Sequence, residues 1–320
     1  MNKGARETPV ALIVGAGGFV GGYLAEYLAV SGGCKVYATK LSSENAGIPL
    51  AETRDLNILD RAAIAALLEE VRPDYIFHLA AQSSVAVSWK RPDLTVDVNI
   101  KGTLNLLEAV RESGLSPRLL LIGSSEEYGY LRPEDIPVGE ETLPRPGNIY
   151  AVTKNAQNQL GRLYAQAYGL DVLSTRSFNH IGPNQAPIFV VADFCKQVAE
   201  IEAGQREAVL RVGNLSAQRD FTDVRDVVRA YGLLAEKGAP GETYNVGQGR
   251  AVSIQEILDR LLELSSSSIE VVTDPAKLRP IDVPIIQADI SKLQAVTGWA
   301  PKIPLSQTLE DTLAYWRDQV

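Results

Sequence analysis

The sequence is poor in the residues that build metal centres and disulfide frameworks. Its 320 residues include two cysteines, two histidines and a single methionine. Cys34 and Cys195 lie far apart and lack the paired spacing of a metal site, which predicts free thiols in a reducing cytosol. We therefore expect a cytoplasmic protein that holds no metal ion.

Long hydrophobic runs are also missing. No apolar stretch is long enough to cross a bilayer, and the opening segment MNKGARETPV lacks the apolar part of a secretion signal. Positive charge is in deficit, since 31 lysines and arginines face 39 acidic residues, for a net charge of −8. This balance argues against nucleic acid and acidic membranes as partners. An anionic substrate must then be held by a few local arginines.

The first half of the chain alternates buried strands with helices. Apolar strands are predicted at 34–39 and 73–82, and a further one in the segment RLLLIGSS. Helices are predicted at 102–114 and 150–169, each ending at a glycine. Strands that alternate with helices of this length indicate an α/β fold with a Rossmann-type, doubly wound parallel sheet.

The alternation loosens after residue 178, which predicts a second unit. We expect an NAD(P)-binding domain over 8–178, with return segments at about 222–250. The apolar segment ETYNVG at 242–247 is the predicted strand of that return. The remainder, 179–320, is predicted to be a smaller, interleaved α/β domain that binds the substrate.

A glycine-rich turn follows the first predicted strand. In VGAGGFVGG, Gly15, Gly18 and Gly21 are spaced three residues apart, immediately before the first helix. Glycine at these places permits a tight turn and lets backbone N–H groups approach a pyrophosphate. The segment, including Phe19 and Val20, is therefore predicted to bind a nicotinamide dinucleotide.

A tyrosine and a lysine are spaced for one helix face. Tyr150 and Lys154 lie four residues apart in YAVTK, and Ser124 ends the preceding strand. Reduction of a ketone needs hydride at carbon and a proton at oxygen, and a phenol with a pKa of about 10 holds that proton at neutral pH. A nearby ammonium stabilises the phenolate, typically moving its pKa by about 1–3 units. The three residues predict carbonyl reduction, with Ser124 orienting the carbonyl.

With this glycine turn and these three residues, the chain resembles the extended short-chain dehydrogenases that act on nucleotide sugars. Within them it is similar to the enzymes of GDP-mannose metabolism, the 4,6-dehydratase and the reductase that forms GDP-rhamnose. The most specific motifs are SFNHIGP (177–183), VGNLSAQRDFTDVRD (212–226), LRPIDVP (278–284) and TGWAPKIPL (297–305). The resemblance covers nearly the whole chain and implies a GDP-linked 6-deoxy-4-keto sugar as substrate.

The choice between NAD and NADP depends on the end of the second strand. The segment YATKLSSEN has no acidic residue where an NAD site needs one for the ribose hydroxyls. Lys40, with Ser42 and Ser43, suits a 2′-phosphate, although a solvated surface lysine is an equal alternative. We expect NADP(H) to be preferred and NAD(H) to be possible.

The resemblance also implies particular ligand contacts. Cofactor contacts are implied at Asp55, Leu56, Leu79, Ala80 and Ala81, and substrate contacts at Ser84, Asn179, Lys196, Arg219 and Arg279. A charge-assisted hydrogen bond contributes about 1.5–3 kcal/mol, so the two arginines would dominate diphosphate binding. For His180 a structural role is favoured over a ligand contact. Relatives dimerise through the helices equivalent to 102–113 and 150–168, so a homodimer is implied.

Two adjacent carboxylates in IGSSEEYG leave the reaction open. In the dehydratase motif the catalytic threonine falls at Ser124 and the glutamate base at Glu126. Because successive strand residues point to opposite sides, we expect Glu126 to face the sugar and Glu127 to pair elsewhere or reach solvent.

Two departures favour the reductase. The dehydratase has a Gln-Asp pair where this chain has Phe19 and Val20, and a paired-arginine loop where it has TKLSS. The alternatives are the dehydratase with Glu126 as base, another nucleotide-sugar epimerase, dehydratase or decarboxylase, and an inactive dinucleotide sensor. Retention of Ser124, Tyr150 and Lys154 argues against the sensor, which needs no acid.

Overall fold

The computed structural model describes residues 8–44, 47–277 and 283–320. Arg279, one of the two arginines implied to hold the diphosphate, lies outside the described residues. None of the helices within these ranges is long and apolar enough to span a membrane. No group of three or more histidine, cysteine, aspartate or glutamate residues in the same ranges is placed to hold a metal ion. Both cysteines are free thiols.

Strands and helices alternate along the described chain. The strands are β1 (Val10–Val14), β2 (Lys35–Lys40), β3 (Glu52–Asp55), β4 (Tyr75–His78), β5 (Arg118–Ser124), β6 (Val172–Ser177), β7 (Asn179–Ile181), β8 (Val209–Val212), β9 (Gln218–Asp223), β10 (Thr243–Val246), β11 (Ala251–Ser253), β12 (Glu270–Thr273) and β13 (Ile285–Ile286). The helices are α1 (Phe19–Val30), α2 (Arg61–Val71), α3 (Val85–Lys90), α4 (Pro92–Val96), α5 (Gly102–Glu112), α6 (Ile149–Tyr168), α7 (Val190–Glu202), α8 (Val224–Lys237), α9 (Ile254–Leu264), α10 (Ser291–Thr297) and α11 (Leu305–Arg317). A π-helical turn, Asp97–Lys101, precedes α5, and a short 3₁₀ helix, Ser125–Tyr128, follows β5.

The described residues form a seven-stranded sheet in the order β10-β6-β5-β4-β1-β2-β3, and each neighbouring pair is parallel. The chain order reverses between β1 and β4. In such sheets, ligands bind beyond the carboxyl ends of the strands at the point of reversal. The predicted Rossmann-type fold class is confirmed, and the strand predicted at 242–247 joins this sheet as β10.

Helices cover both faces of the sheet, and β1 shows why. Ala11 and Ile13 pack with α1 and α8 on one face, whereas Leu12 and Val14 pack with α2 and α5 on the other. Alternate residues of a strand point to opposite faces, so a strand that is buried on both sides must be apolar throughout. The glycine turn after β1 is thereby held between two packed layers.

A second unit follows the main sheet. Strands β11, β9 and β13 form a small sheet, and β7 pairs with β9 outside that path. Helices α7, α9 and α11 pack over an apolar core of their own, which includes the buried Phe194 and Leu309. Tyr128 and Phe178 of the first unit share a cluster with Ile286 and Ala288 of the second, so the units meet beside the carboxyl end of β5. The domain boundaries given above stay a prediction.

Candidate active site

The glycine turn is tight because two of its glycines have no room for a side chain. Gly15 has φ +85° and donates its N–H to Thr39 Oγ1 at 3.0 Å; a Cβ there would overlap the backbone of Ala80. A Cβ at Gly21 would overlap the carbonyl of Ala16, so this glycine lets α1 pack closely on the turn.

Gly18 differs from the other two because it borders open space. It is the N-cap of α1, no side chain caps this helix, and no atom of the described residues lies within 4 Å of where its Cβ would be. The first N–H groups of the helix are therefore available to an anion. These glycines fit a bound dinucleotide, with the pyrophosphate at the start of α1.

The segment after β4 completes this edge of the cleft. The N–H groups of Leu79 and Ala80 donate to the Val14 carbonyl at 2.9 and 2.8 Å, which sets 79–81, including the predicted Ala81, beside the glycine turn. Phe19 stacks on His180 of β7, with ring centroids 6.0 Å apart and planes at 10°. The turn is thus joined to the second unit by an aromatic contact.

Further residues of the turn and its neighbour have structural contacts. Val20 packs against the apolar core beside α1. His180 lies with Nδ1 at 3.2 Å from the Phe178 carbonyl oxygen, and burial lowers its pKa. Its contacts are those of a packed, uncharged side chain.

Lys40 and Asp55, both predicted to contact the cofactor, lie together at the ends of β2 and β3. Lys40 Nζ is 3.2 Å from Asp55 Oδ1, and the two residues are paired in the strand register. Leu56 is buried, and its N–H donates to the Lys40 carbonyl at 2.8 Å. The lysine that we expected to meet a 2′-phosphate therefore already has an acidic partner.

An acidic residue from the loop after β2 stands beside the glycine turn. The chain turns back after β2, with Glu44 N–H donating to the Leu41 carbonyl at 2.9 Å, and this brings the Glu44 carboxylate against Gly17. Glu44 belongs to the segment YATKLSSEN but lies four residues beyond the end of β2, and its approach to the glycine turn was not predicted. The turn-forming residues Ser42 and Ser43 were the available signal.

Ser124 and Tyr150 come together at the carboxyl end of β5. Both residues are buried, and the Ser124 side chain is close enough to the phenol to lower its pKa as a hydrogen-bonding neighbour. Asn148 fixes the start of α6 because its Oδ1 accepts the Ala151 N–H at 2.8 Å. Burial raises the pKa of Tyr150, and the charges of Glu126 and Glu127 raise it further. The phenol therefore holds its proton at neutral pH.

Lys154 lies one helical turn below the phenol and is almost fully buried. Its Nζ donates to the Ile122 carbonyl at 2.7 Å and to Gln157 Oε1 at 3.1 Å. Burial lowers the pKa of Lys154 to about 8. Burial is the largest influence on the phenol and raises the Tyr150 pKa; the stabilisation of the phenolate by the Lys154 ammonium stays a prediction. Gln157, a partner of Lys154, was not predicted.

The two carboxylates of SSEEYG separate. Glu126 is partly exposed, and its Oε2 accepts the Asn148 amide at 2.9 Å, beside the start of α6. Glu127 is fully buried and does not reach solvent. The expected cause of the separation was wrong, because these residues form a 3₁₀ helix rather than an extended strand.

The predicted substrate residues are less closely grouped. Ser84 is the N-cap of α3 and accepts the Val87 N–H at 3.3 Å. Asn179 is exposed at the start of β7. Arg219 is buried on β9 and donates to the Val283 carbonyl at 2.7 Å.

Lys196 does not join this group. Its Nζ lies 3.6 Å from Glu200 Oε1 and 5.7 Å from the Trp316 ring centroid, so it faces the C-terminal helix α11. On the neighbouring face of α7, Asp193 pairs with Lys277 at 2.5 Å. The rotation of α7 directs this side chain to another helix, and a substrate contact at Lys196 stays a prediction.

Comparison with known proteins agrees with this geometry. A family model described as GDP-mannose 4,6 dehydratase matches residues 12–312. The GDP-6-deoxy-D-mannose reductase of Pseudomonas aeruginosa is 35% identical, over 96% of this chain and 97% of the relative. The GDP-mannose 4,6-dehydratase of Yersinia enterocolitica is 29% identical, over 95% and 92%.

Two solved structures show the same fold. RMD from Pseudomonas aeruginosa complexed with NADPH superimposes with a TM-score of 0.84 at 34% identity, covering 97% of this chain and 100% of that one. The UDP-glucose 4-epimerase of Thermus thermophilus in complex with NAD reaches 0.85 at 29% identity, covering 97% and 99%. The family model spans nearly all of the described sheet and site. The chain therefore belongs to the GDP-mannose 4,6 dehydratase family.

Proposed function

We propose that the protein reduces the 4-keto group of GDP-4-keto-6-deoxy-D-mannose to give GDP-D-rhamnose, a precursor for polysaccharide synthesis. The observation that carries this proposal is the burial of Ser124, Tyr150 and Lys154 together where α6 packs on β5, with Lys154 Nζ donating to the Ile122 carbonyl of that strand. The pair lies at the edge of the sheet where the glycine turn opens. The similarity to a GDP-6-deoxy-D-mannose reductase favours this substrate.

The residues of the chain supply the proton and orient the ketone. The nicotinamide cofactor, when bound, supplies the hydride that goes to carbon 4. Ser124 donates a hydrogen bond to the carbonyl oxygen and so holds it next to the Tyr150 hydroxyl. As negative charge develops on that oxygen, the Tyr150 O–H bond breaks and its proton forms the new alcohol. The phenolate left behind is stabilised by Ser124 and by the positive charge of Lys154.

We propose that NADP(H) is the preferred cofactor and that NAD(H) is also used. Lys40, at the end of β2, is the cation that would meet the 2′-phosphate, and it pairs with Asp55 at 3.2 Å. Asp55 and Glu44 oppose it, because one pairs with Lys40 and the other lies against Gly17. An NADPH complex of a similar reductase supports the phosphorylated cofactor.

Arg219, Asn179 and Ser84 are proposed to contact the nucleotide sugar, together with Arg279. Arg219 is the strongest of these candidates, because it is a buried cation on β9 beside the cluster that joins the two units. The chain is further proposed to be a cytoplasmic homodimer, as in the relatives on which the resemblance rests.

A second candidate function is 4,6-dehydration of GDP-mannose with Glu126 as base. The partly exposed carboxylate of Glu126 beside Tyr150 favours it, because dehydration needs a base next to the transient ketone. Its Oε2 already accepts a hydrogen bond from Asn148, which holds the carboxylate at the start of α6.

Turnover with two substrates tests the proposal. Given the keto sugar and NADPH, the purified protein should consume the nicotinamide absorbance; given GDP-mannose alone, it should form no keto sugar. Tyr150→Phe should lower kcat by about a hundredfold or more, because the proton donor is lost, while the Kd for NADPH stays within twofold of the wild-type value. Accumulation of a 4-keto product from GDP-mannose would instead establish the dehydratase.

A further inference from the structure

The buried carboxylate of Glu127 takes no direct part in the reaction proposed above. Its Oε1 accepts the Ser124 N–H at 2.9 Å, and its two oxygens accept the Asn158 amide at 2.8 and 2.9 Å. Arg176 donates through Nε to Oε2 at 3.3 Å. Because each of these neighbours is a donor, the geometry suits an ionised carboxylate rather than a protonated one.

The surroundings leave space for the Glu127 carboxylate and supply hydrogen-bond donors to both of its oxygens. A Cβ at Gly123 would lie 2.5 Å from both Glu127 Oε1 and Asn158 Nδ2, so β5 has a glycine where the two side chains meet. Arg176 is itself buried, with its guanidinium carbon 4.6 Å from the Tyr128 ring centroid. Buried ions persist only with such partners, because their desolvation is costly. Burial raises the pKa of Glu127, and the charge of Arg176 and the hydrogen bonds from Ser124 and Asn158 oppose that rise. We take the donor-only surroundings to hold the negative charge inside the protein.

Helix capping accounts for only part of the arrangement. Glu127 is the third residue of a capping box in which Ser124 is the N-cap. A capping box uses one oxygen of this side chain, and glutamine serves as well as glutamate. Capping does not explain why Glu127 is completely buried, or why its second oxygen contacts Arg176.

Glu127 and Lys154 meet the same stretch of β5, because Lys154 Nζ donates to the Ile122 carbonyl and Glu127 accepts the Ser124 N–H, while Asn158, the partner of Glu127, lies one turn after Lys154 on α6. From this position the charge of Glu127 acts on both members of the proton-donating pair. It raises the pKa of the Tyr150 phenol and also that of the Lys154 ammonium. For Lys154 this effect opposes burial, which lowers the pKa to about 8. Removal of the charge would therefore let Lys154 lose its proton nearer to neutral pH.

We propose that Glu127 is a positioning residue whose buried negative charge keeps Lys154 protonated and Tyr150 in its proton-donating form, while its hydrogen bonds hold Ser124 in place. This role rests on the proposed reduction of a keto sugar. It assigns the two adjacent carboxylates to different tasks: Glu126 borders the substrate side, and Glu127 sets the charge state of the groups beneath it.

Other titratable groups also face the pair, from neighbouring elements. Glu126 and Tyr231, the latter on α8, both raise the pKa of Tyr150. His78, at the end of β4, faces Lys154, but burial lowers its pKa to about 3, so it is neutral near physiological pH. Among the described residues, Glu127 is thus the carboxylate whose charge raises the pKa of Lys154.

A direct titration of Lys154 in the wild type and in Glu127→Gln tests the proposal. The titration is followed by NMR of isotope-labelled lysine side chains, and Lys154→Arg identifies the signal. The midpoint should fall by about one pH unit or more in Glu127→Gln, which keeps the capping oxygen but lacks the charge. In the pH profile of kcat for keto-sugar reduction, the alkaline limb should shift to lower pH by the same amount, with KM unchanged.

Two further variants separate charge from structure. Glu140→Gln is the matched control: it removes a partly buried carboxylate, which accepts the Asn245 N–H at 2.7 Å, and should leave the Lys154 midpoint unchanged. Glu127→Gln/Asn158→Asp exchanges amide and carboxylate within the same pair of side chains. It should return the midpoint to the wild-type value or above.

The outcomes distinguish this role from the proposed reaction. An unchanged midpoint in folded Glu127→Gln overturns the role of Glu127. Where Glu127→Gln alone does not fold, the exchanged pair decides, and a lowered midpoint there also overturns it. A shifted midpoint in a protein that reduces no keto sugar would contradict the reductase function but leave the effect of Glu127 on Lys154 intact.

Discussion

Burial of Lys154 has a measurable effect on stability. Its pKa falls from 10.5 to about 8 in the folded protein, so at pH 7 the folded state holds an ammonium that would be better solvated in the unfolded chain. One pKa unit corresponds to about 1.4 kcal/mol, so this burial opposes folding by up to about 3 kcal/mol at pH 7. The site gains its function at the expense of stability, as active sites commonly do.

Lys154→Met should therefore be inactive but more stable than the wild type at pH 7, by about 1–3 kcal/mol in urea unfolding. The folded pKa is the lower one, so the destabilisation of the wild type is complete below about pH 8 and disappears as the pH rises towards 10.5. The stability gap between the two proteins should narrow between pH 7 and pH 9.5. A gap that is absent at pH 7, or that widens with pH, would contradict the role of burial.

The positions of some individual side chains were predictable from the sequence, and those of others were not. The spacing of Tyr150 and Lys154 identified the pair, because four residues make one turn of a helix. The direction in which Lys196 points was not predictable, because it depends on how α7 packs against α11. Glu44 was missed because a turn, rather than a strand, carries it to Gly17.

At the level of elements, the glycines of the turn between β1 and α1 divide into those needed for folding and one expected to serve cofactor binding. Gly15 and Gly21 are needed for packing, whereas Gly18 borders open space at the helix N-terminus. Gly18→Ala should unfold within about 1 kcal/mol of the wild type, since its φ of −84° suits alanine. It should weaken NADPH binding by about tenfold, because the added methyl group enters the space for the pyrophosphate.

The matched control is Gly15→Ala. Its positive φ and its contact with the Ala80 backbone predict a loss of stability as well as of NADPH affinity. Thermal unfolding and fluorescence titration with NADPH measure the two effects. Equal affinities for NADPH in Gly18→Ala and the wild type would place the pyrophosphate elsewhere.

Element order was largely predictable, whereas local helix type was not. Alternation of buried strands and amphipathic helices predicted the parallel sheet, since such strands need helices on both faces. The 3₁₀ helix at Ser125–Tyr128 and the π-helical turn at Asp97–Lys101 depend on contacts with α6 and left no periodic signal. The separation of Glu126 from Glu127 was therefore expected for an incorrect reason.

For the whole molecule, the overall shape does not decide the reaction. The protein superimposes about equally well on an NADPH-bound reductase and on an NAD-bound epimerase, with TM-scores of 0.84 and 0.85. The same fold hosts several reactions, which differ in a few side chains. The choice between reductase and dehydratase therefore depends on the surroundings of Glu126 and Tyr150 rather than on the fold.

The proposed homodimer is also a property of the whole molecule. Helices α5 and α6 pack side by side and expose Leu104, Val152 and Leu163, which are 37%, 49% and 56% accessible. Val152 and Leu163 are about three turns apart on one face of α6. Leu163→Glu should shift the protein from dimer to monomer in analytical ultracentrifugation, because a charge would be buried at the interface. A wild-type monomer, or a dimeric variant, would contradict this interface.

The lack of room for a side chain at Gly123 restricts which substitutions the protein can accept as it diverges from its relatives. A side chain there would displace the carboxylate beneath it, and loss of that carboxylate would leave Arg176 buried and unmatched. Substitutions at these sites are consequently epistatic: each is tolerated only after another has occurred. Lineages that exchange the acidic residue for an apolar one should have replaced the arginine or the nearby asparagine in the same evolutionary interval.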